Sequence, residues 1–301
     1  MASRYHSAMR LDPVSLRLFV AAMEEGAIAR AAEREHLAAS AASRRLADLE
    51  QQLGVALFAR SNRGTEPTAA AYALLDLARG VLNELDGIAT QMRGFGAGLR
   101  GHVRVAANIS AITQFLPAQL QRFMARHPQV DVRLQEQIST AIARSVAENA
   151  ADIGILAEGD YGERVTLLPY REDELVLVLP AGHALARRRR VRLAEVLDHE
   201  FVGTHPGSAI NAALARGAAE AGRPLKLRMQ VTGFDALCLM VAAGLGLGVM
   251  PRGSALIYRS ALGLRTLTLA EPWAQRRLML CVRAQGELPG VARHLVAHLQ
   301  D

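Results

Sequence analysis

The sequence predicts two parts: an N-terminal all-α winged helix-turn-helix with a long linker helix behind it, then an α/β domain of two lobes. Three observations carry this. Two short apolar stripes meet out of helical phase between Ile28 and Leu53, and a heptad seam runs from Ala71 to Met92. Beyond a glycine-rich stretch, strand-like and helical runs alternate to the C-terminus.

Residues 1–10 read as a loose tail. Leu16, Phe19, Val20 and Met23 then mark a first helix, from Pro13 to Glu24, whose apolar face should lie under the next two. Ile28, Ala31 and Ala32 form one stripe; Ala42, Leu46, Leu49 and Leu53, spaced four, three and four, form another. The phase breaks around His36-Leu37-Ala38, so two helices meet at a tight turn. The second turns Ser40, Ser43 and Arg44 away from its apolar stripe. Small side chains with one hydroxyl or guanidinium suit a helix lying deep in a major groove, where a bulky or acidic face would meet bases or phosphate. On spacing alone, an Ala-rich helical pair buried in some core accounts for the pattern equally well. After Leu53-Gly54, Val55–Phe58 reads as a strand, Ser61-Asn62-Arg63-Gly64 as a hairpin turn and Thr65–Pro67 as the return.

Ala71, Leu75, Ala78, Leu82, Leu85, Ala89 and Met92 repeat at four-three spacing through three heptads, with Leu74, Val81 and Ile88 beside them. An isolated helix would leave this seam wet; a second copy would cover it. Leu75, Leu82 and Leu85 are therefore the expected dimerisation residues. Four glycines between Gly94 and Gly101 then mark a hinge and domain boundary.

The N-terminal matches go beyond periodicity. Leu16-Arg-Leu-Phe-Val-Ala-Ala-Met-Glu-Glu-Gly26, Arg30-Ala-Ala-Glu33, Ala42-Ser-Arg44, Leu49-Glu50 with Leu53-Gly54, Leu57-Phe58 with Arg60, and Arg63-Gly64 keep fixed spacing. This string resembles the N-terminal domain of LysR-type transcriptional regulators, closely over residues 11–92 and by pattern beyond. The chain departs from that family at Ala27, where Ser or Thr is usual, at Ala38-Ala39-Ser40, where Ser-Gln-Pro is usual, and near Ala70, where Gly is usual. A Ser missing at 38 removes a helix N-cap, a loss of about 1 kcal/mol. A Gln missing at 39 removes a base-reading side chain, so these departures bear on operator preference.

The resemblance implies a winged helix-turn-helix over 11–68, a dimerising helix over 69–93, a hinge over 94–101 and an effector domain over 102–301. That domain would have the two-lobed, type 2 periplasmic-binding-protein-like fold. Lobe I would take about 102–173 and 277–301, lobe II about 174–276, joined by crossovers near Asp173–Val178 and Thr268–Arg276. Strands are expected at 102–107, 131–136, 152–156, 165–168, 174–180, 201–203, 225–231, 248–250, 264–269 and 278–283. Helices are expected at 112–126, 139–149, 193–197, 210–221, 235–243, 252–260 and 291–299. Such alternation predicts mostly parallel sheets.

Net charge is +6, and Lys226 is the only lysine. Residues 1–100 hold 12 Arg against 11 acids, leaving a net of +5 for the remainder, so bulk charge does not mark the DNA-binding part. Placement does: Arg44, Arg45, Arg60 and Arg63 fall on the recognition helix and wing, where phosphates would lie. Arg187–Arg190 reads as a solvated loop, with a second phosphate contact as the alternative. No apolar run approaches the roughly 20 residues of a membrane helix, and the N-terminus has no apolar signal core, so a cytoplasmic protein is expected. Cys238 and Cys281 sit among apolar residues and read as buried thiols, with a redox pair as the minority reading.

Gly244-Leu-Gly-Leu-Gly248 follows a helix instead of a strand, so tight helix-to-strand packing is a better account than a dinucleotide site. No P-loop, nucleophile elbow or metal-ligand spacing is present; no cofactor, no metal and no enzymatic activity are expected. One constellation remains. Asn108 and Ser110 end a strand in the first lobe, and Thr204 ends a strand in the second, each ahead of a helix. Two such ends facing one cleft would hold a small organic anion on free amides and hydroxyls; Ser110 and Thr204 as plain helix caps is the alternative. The expected partners are double-stranded operator DNA, a small-molecule effector and a second copy of the chain. The resemblance adds a homotetramer and RNA polymerase. The rival reading is a cytosolic small-molecule-binding protein of the same fold with no DNA role.

Overall fold

Asp12 opens the first helix, α1 (Pro13–Glu25): its carboxylate accepts the N–H groups of Val14 and Ser15 at 3.2 Å each, and Pro13 supplies a preset φ. The computed structural model describes residues 11–61, 64–94, 99–285 and 288–301, and the chain divides into two compact units, Met1–Gly96 and Ala97–Asp301. In the first unit, α2 (Ile28–Arg34) and α3 (Ala39–Leu53) are joined by a turn with His36 at φ 56° and the Leu37 N–H on the Ala32 carbonyl at 2.8 Å. Ala31, Ala32, Ala42, Leu46 and Leu49 bury against Leu16, Leu18 and Phe19 of α1. As the missing Ser at 38 implies, the N-cap of α3, Ala38, makes no side-chain cap hydrogen bond.

The wing begins later than expected. β1 (Phe58–Ser61) pairs antiparallel with β2 (Gly64–Pro67), while Val55 is exposed and stands before the strand. Glu50 of α3 sets that start by accepting the N–H groups of Leu57 and Phe58 at 2.7 and 2.9 Å, which fastens the hairpin to the helix.

The heptad seam divides along α4 (Ala69–Gly94). Ala71, Leu75 and Ala78 are buried in this unit's own core, with Leu74 and Leu82 partly buried against it. Leu75 is thus a core residue here, because α4 packs on α1, where Arg79 also reaches Glu24 at 2.9 Å. Leu77, Val81, Leu85 and Ile88 stay exposed. Their spacing of four, four and three makes a stripe roughly a quarter turn from the buried one. The side chains of Ala89 and Met92 lie outside the described residues.

In the second unit, β3 (Gly101–Ala107) runs parallel to β4 (Val130–Glu136) and β5 (Ile153–Ala157). Val103, Val105 and Ala107 face α6 (Leu116–Arg126) and α11 (Gly290–Gln300), while Ala106 faces α7 (Ser139–Ala147), the two-residue alternation of a strand covered on both sides. The helix expected over 112–126 is two: α5 (Ile109–Gln114) ends at Phe115, and α6 restarts with Pro117 in its first turn, where a missing N–H costs nothing.

The sheets are more mixed than expected. β6 (Val165–Pro180) is one strand where two were expected, and it serves both lobes. Over Val165–Glu174 it pairs antiparallel with β12 (Gln275–Arg283), and over Leu175–Pro180 with β10 (Leu247–Pro251) and β11 (Leu264–Leu269). Pro169 is the partner of Met279, next to a register shift between Leu278 and Met279, the kind of ladder irregularity that admits a proline. In the second lobe β8 (Phe201–Gly203) lies parallel between β9 (Leu227–Gln230) and β10. Around this sheet stand α8 (Ala209–Glu220), α9 (Phe234–Ala242) and α10 (Arg252–Arg259). The Arg187–Arg190 run ends in a two-residue strand, β7 (Arg190–Val191), paired with β11, and Arg188 meets Glu195 at 2.6 Å. The helix expected near 193–197 is only a 3-10 turn, Leu193–Glu195.

Gly244-Leu-Gly-Leu-Gly248 is the tight passage from α9 to β10. A Cβ on Gly246, at φ 156°, would stand 2.9 Å from the Glu200 carbonyl oxygen, and one on Gly248 2.5 Å from a Leu237 methyl.

Candidate nucleic-acid face and ligand cleft

On α3 the buried stripe of Ala42, Leu46 and Leu49 fixes what the opposite face shows: Ser40, Ser43 and Arg44 are all exposed. Arg44 has no hydrogen bond or ion pair among the described residues. Arg45, one position on, is rotated toward α1 and spends its guanidinium on Asp12. Burial alone would raise the Asp12 carboxyl, but hydrogen bonds from Val14 and Ser15 and the Arg45 charge outweigh it and hold the group below its ordinary value. Arg45 therefore pins the helix to α1, a role its sequence position beside Arg44 did not reveal. Arg60 is on β1, but its side chain lies outside the described residues, as does Arg63.

In the second unit, the loops after β3, β4 and β8 and the crossover into β12 enclose a cavity of about 390 Å³. Asn108, Ser110 and Thr204 all line it. Asn108 caps α5, its Oδ1 accepting the Ala111 N–H at 3.0 Å. Thr204 is buried, and its hydroxyl already has partners: Ser208 Oγ at 2.6 Å and Asn211 Oδ1 at 3.1 Å. Ser208 in turn caps α8 by accepting the Asn211 N–H. Ser139, at the start of α7, lines the cavity too and accepts the Ala157 N–H at 3.2 Å.

One expectation needs correction: the cleft is not lined by neutral dipoles alone. Arg276 lines it, donating from Nη2 to Ser110 Oγ at 2.7 Å and from Nε to Asp173 Oδ2 at 2.9 Å. Asp173 and Arg276 are direct partners across β6 and β12, at the point where both strands leave the first lobe. Their side chains are 1% and 13% exposed. Gln114 adds a 3.2 Å bond to the other Asp173 oxygen, and Thr113 on α5 meets Ser254 on α10 at 2.7 Å. Sequence spacing could not have paired residues 103 positions apart. The one available signal was two opposite charges at the ends of the expected crossovers.

No cluster among the described residues could hold a metal ion, and no described helix is long and apolar enough to cross a membrane. The thiols of Cys238 and Cys281 lie in different lobe cores, and burial pushes both up to about 12. Such thiols are inert, which argues against the redox pair.

A two-lobed cleft domain behind a winged helix-turn-helix defines a ligand-responsive DNA-binding protein. Family models match both parts: residues 14–72 match the bacterial regulatory helix-turn-helix of the lysR family, and residues 96–301 match the LysR substrate binding domain. The chain belongs to the LysR family of transcriptional regulators. It is 31% identical over 243 residues to a probable HTH-type transcriptional regulator, LrrA, of Synechococcus elongatus, covering 80% of this chain and 81% of that one. A full-length OxyR variant from Pseudomonas aeruginosa shares the fold at TM-score 0.74 and 21% identity, covering 97% of this chain and 94% of its own. Full-length CbnR, solved in complex with its target DNA, does so at TM-score 0.68 and 21% identity, covering 96% and 99%.

Proposed function

We propose that this regulator acts in the cytoplasm as a dimer that lays α3 of each copy in the major groove of its operator. Ser40, Ser43 and Arg44 face the bases, and the wing carrying Arg60 and Arg63 follows the phosphates. The exposed stripe of Leu77, Val81, Leu85 and Ile88 on α4 meets its copy. A small organic anion enters the cleft between Ser110, Arg276 and Thr204, and closure of the lobes changes how the paired wings sit on DNA. Tetramer formation and contact with RNA polymerase complete the reading, and the protein has no catalytic role.

The observation that carries this is the exposed Arg44, without a hydrogen bond or ion pair among the described residues, set among small residues opposite a buried helix face. A gel-shift series with the DNA upstream of the protein's own gene tests it. Arg44→Ala should cost about 1–3 kcal/mol on the cognate site and relax preference at one base pair. Equal losses on specific and random DNA would refute base contact by Arg44.

A further inference from the structure

The charges around the cleft do not add up to a basic anion site. Arg276 is neutralised by Asp173, so the pair contributes directed N–H groups and no net charge. Its Nη1 makes no hydrogen bond among the described residues, while Nε and Nη2 are committed. Glu136, at the C-terminal end of β4, lines the same cavity and has no hydrogen bond or ion pair among the described residues. His205 holds its Nδ1 against the Pro206 carbonyl. Among the carboxylates and guanidinium groups of the lining, Glu136 is the one charge without a partner among the described residues. Ile109, Ile138, Ala141 and Ile210 give the wall an apolar part, beside neutral polar groups such as Gln137 and Thr232.

We infer that the cleft takes an organic molecule bearing a single carboxylate on an apolar body, and that Glu136 excludes a second anionic group. This rests on the cleft being the effector site. One carboxylate finds Nη1 of Arg276 and the Ser110 hydroxyl, charge-assisted contacts available without freeing Arg276 from Asp173. A second carboxylate within the same walls has no cation left and meets Glu136 instead. Glu136 is exposed at the mouth, so its repulsion is screened, and the selectivity falls as salt is added.

Calorimetry on the full chain at low salt tests this with matched probes: cyclohexanecarboxylate, cis-1,3-cyclohexanedicarboxylate and the neutral cyclohexanecarboxamide. The monoacid should bind about tenfold or more tighter than the diacid. Glu136→Gln should tighten the diacid by about tenfold and leave the monoacid within about twofold. A diacid that binds the unaltered protein as tightly as the monoacid overturns the proposal, as does a Glu136→Gln variant that shifts both probes alike. Binding of the amide with no binding of the monoacid at millimolar concentration overturns the carboxylate class while leaving the cleft as the site. Ala141→Phe, which fills the cavity, should abolish binding; undiminished binding in that variant refutes the cleft reading itself.

Discussion

Replacing Asp173 by Asn strands the Arg276 guanidinium in the junction between the lobes. The Asp173 side chain is 1% exposed and that of Arg276 13%, so water can do little to replace the lost carboxylate. Breaking one side of a buried pair costs about 3–5 kcal/mol, because the surviving charge is left uncompensated. For a domain of about 200 residues, where each kcal/mol moves Tm by about 2–4 °C, the expected fall is roughly 6–20 °C. Arg276→Met should cost a comparable amount, since it leaves the buried Asp173 carboxylate without its cation. The double variant Asp173→Asn, Arg276→Met removes both charges and should recover most of the loss. Thermal and urea unfolding of the full chain, followed through the transition of the C-terminal domain, measure all three. Single losses below about 1 kcal/mol, or losses that simply add in the double variant, would refute the claim that the pair is a buried, mutually dependent unit.

Other positions separate roles that look alike in sequence. Leu85→Arg should leave the fold of the N-terminal unit intact and lower the oligomeric state measured by light scattering, whereas Leu75→Ala should destabilise that unit by about 2–4 kcal/mol. Undiminished assembly by Leu85→Arg would place the dimer contact elsewhere. Glu174 is held below its ordinary value of 4.5, chiefly by the hydrogen bonds of Arg252 at 2.5 and 2.7 Å. A carboxylate with a lowered folded pKa stabilises above its unfolded value and loses that contribution as pH falls through the folded one. Stability should therefore drop more steeply below pH 4.5 in the unaltered protein than in Glu174→Gln; parallel curves would show the pair to be energetically silent.

Short-range pattern was enough to read the helix-turn-helix, because each of its helices carries a period that can be checked within a dozen residues. Ala42, Leu46 and Leu49 fix the buried face of α3, and that fixes Ser40, Ser43 and Arg44 as the outward one. The ends of β3 and β8 were legible for the same reason, which is why Asn108, Ser110 and Thr204 could be named as one cleft. What the tertiary structure alone decided depends on which element lies against which. The heptads of α4 could not say which of two adjacent apolar faces α1 would cover; Leu75 went to the core and Leu85 stayed outside. Arg45 differs from Arg44 only by a 100° turn toward Asp12. Arg276 acquires its place from a strand register that couples it to Asp173, and no local period encodes a partner in another strand. A stretch of chain specifies the face it will bury; the partner on that face, and so the charge of the cleft, is set by long-range packing.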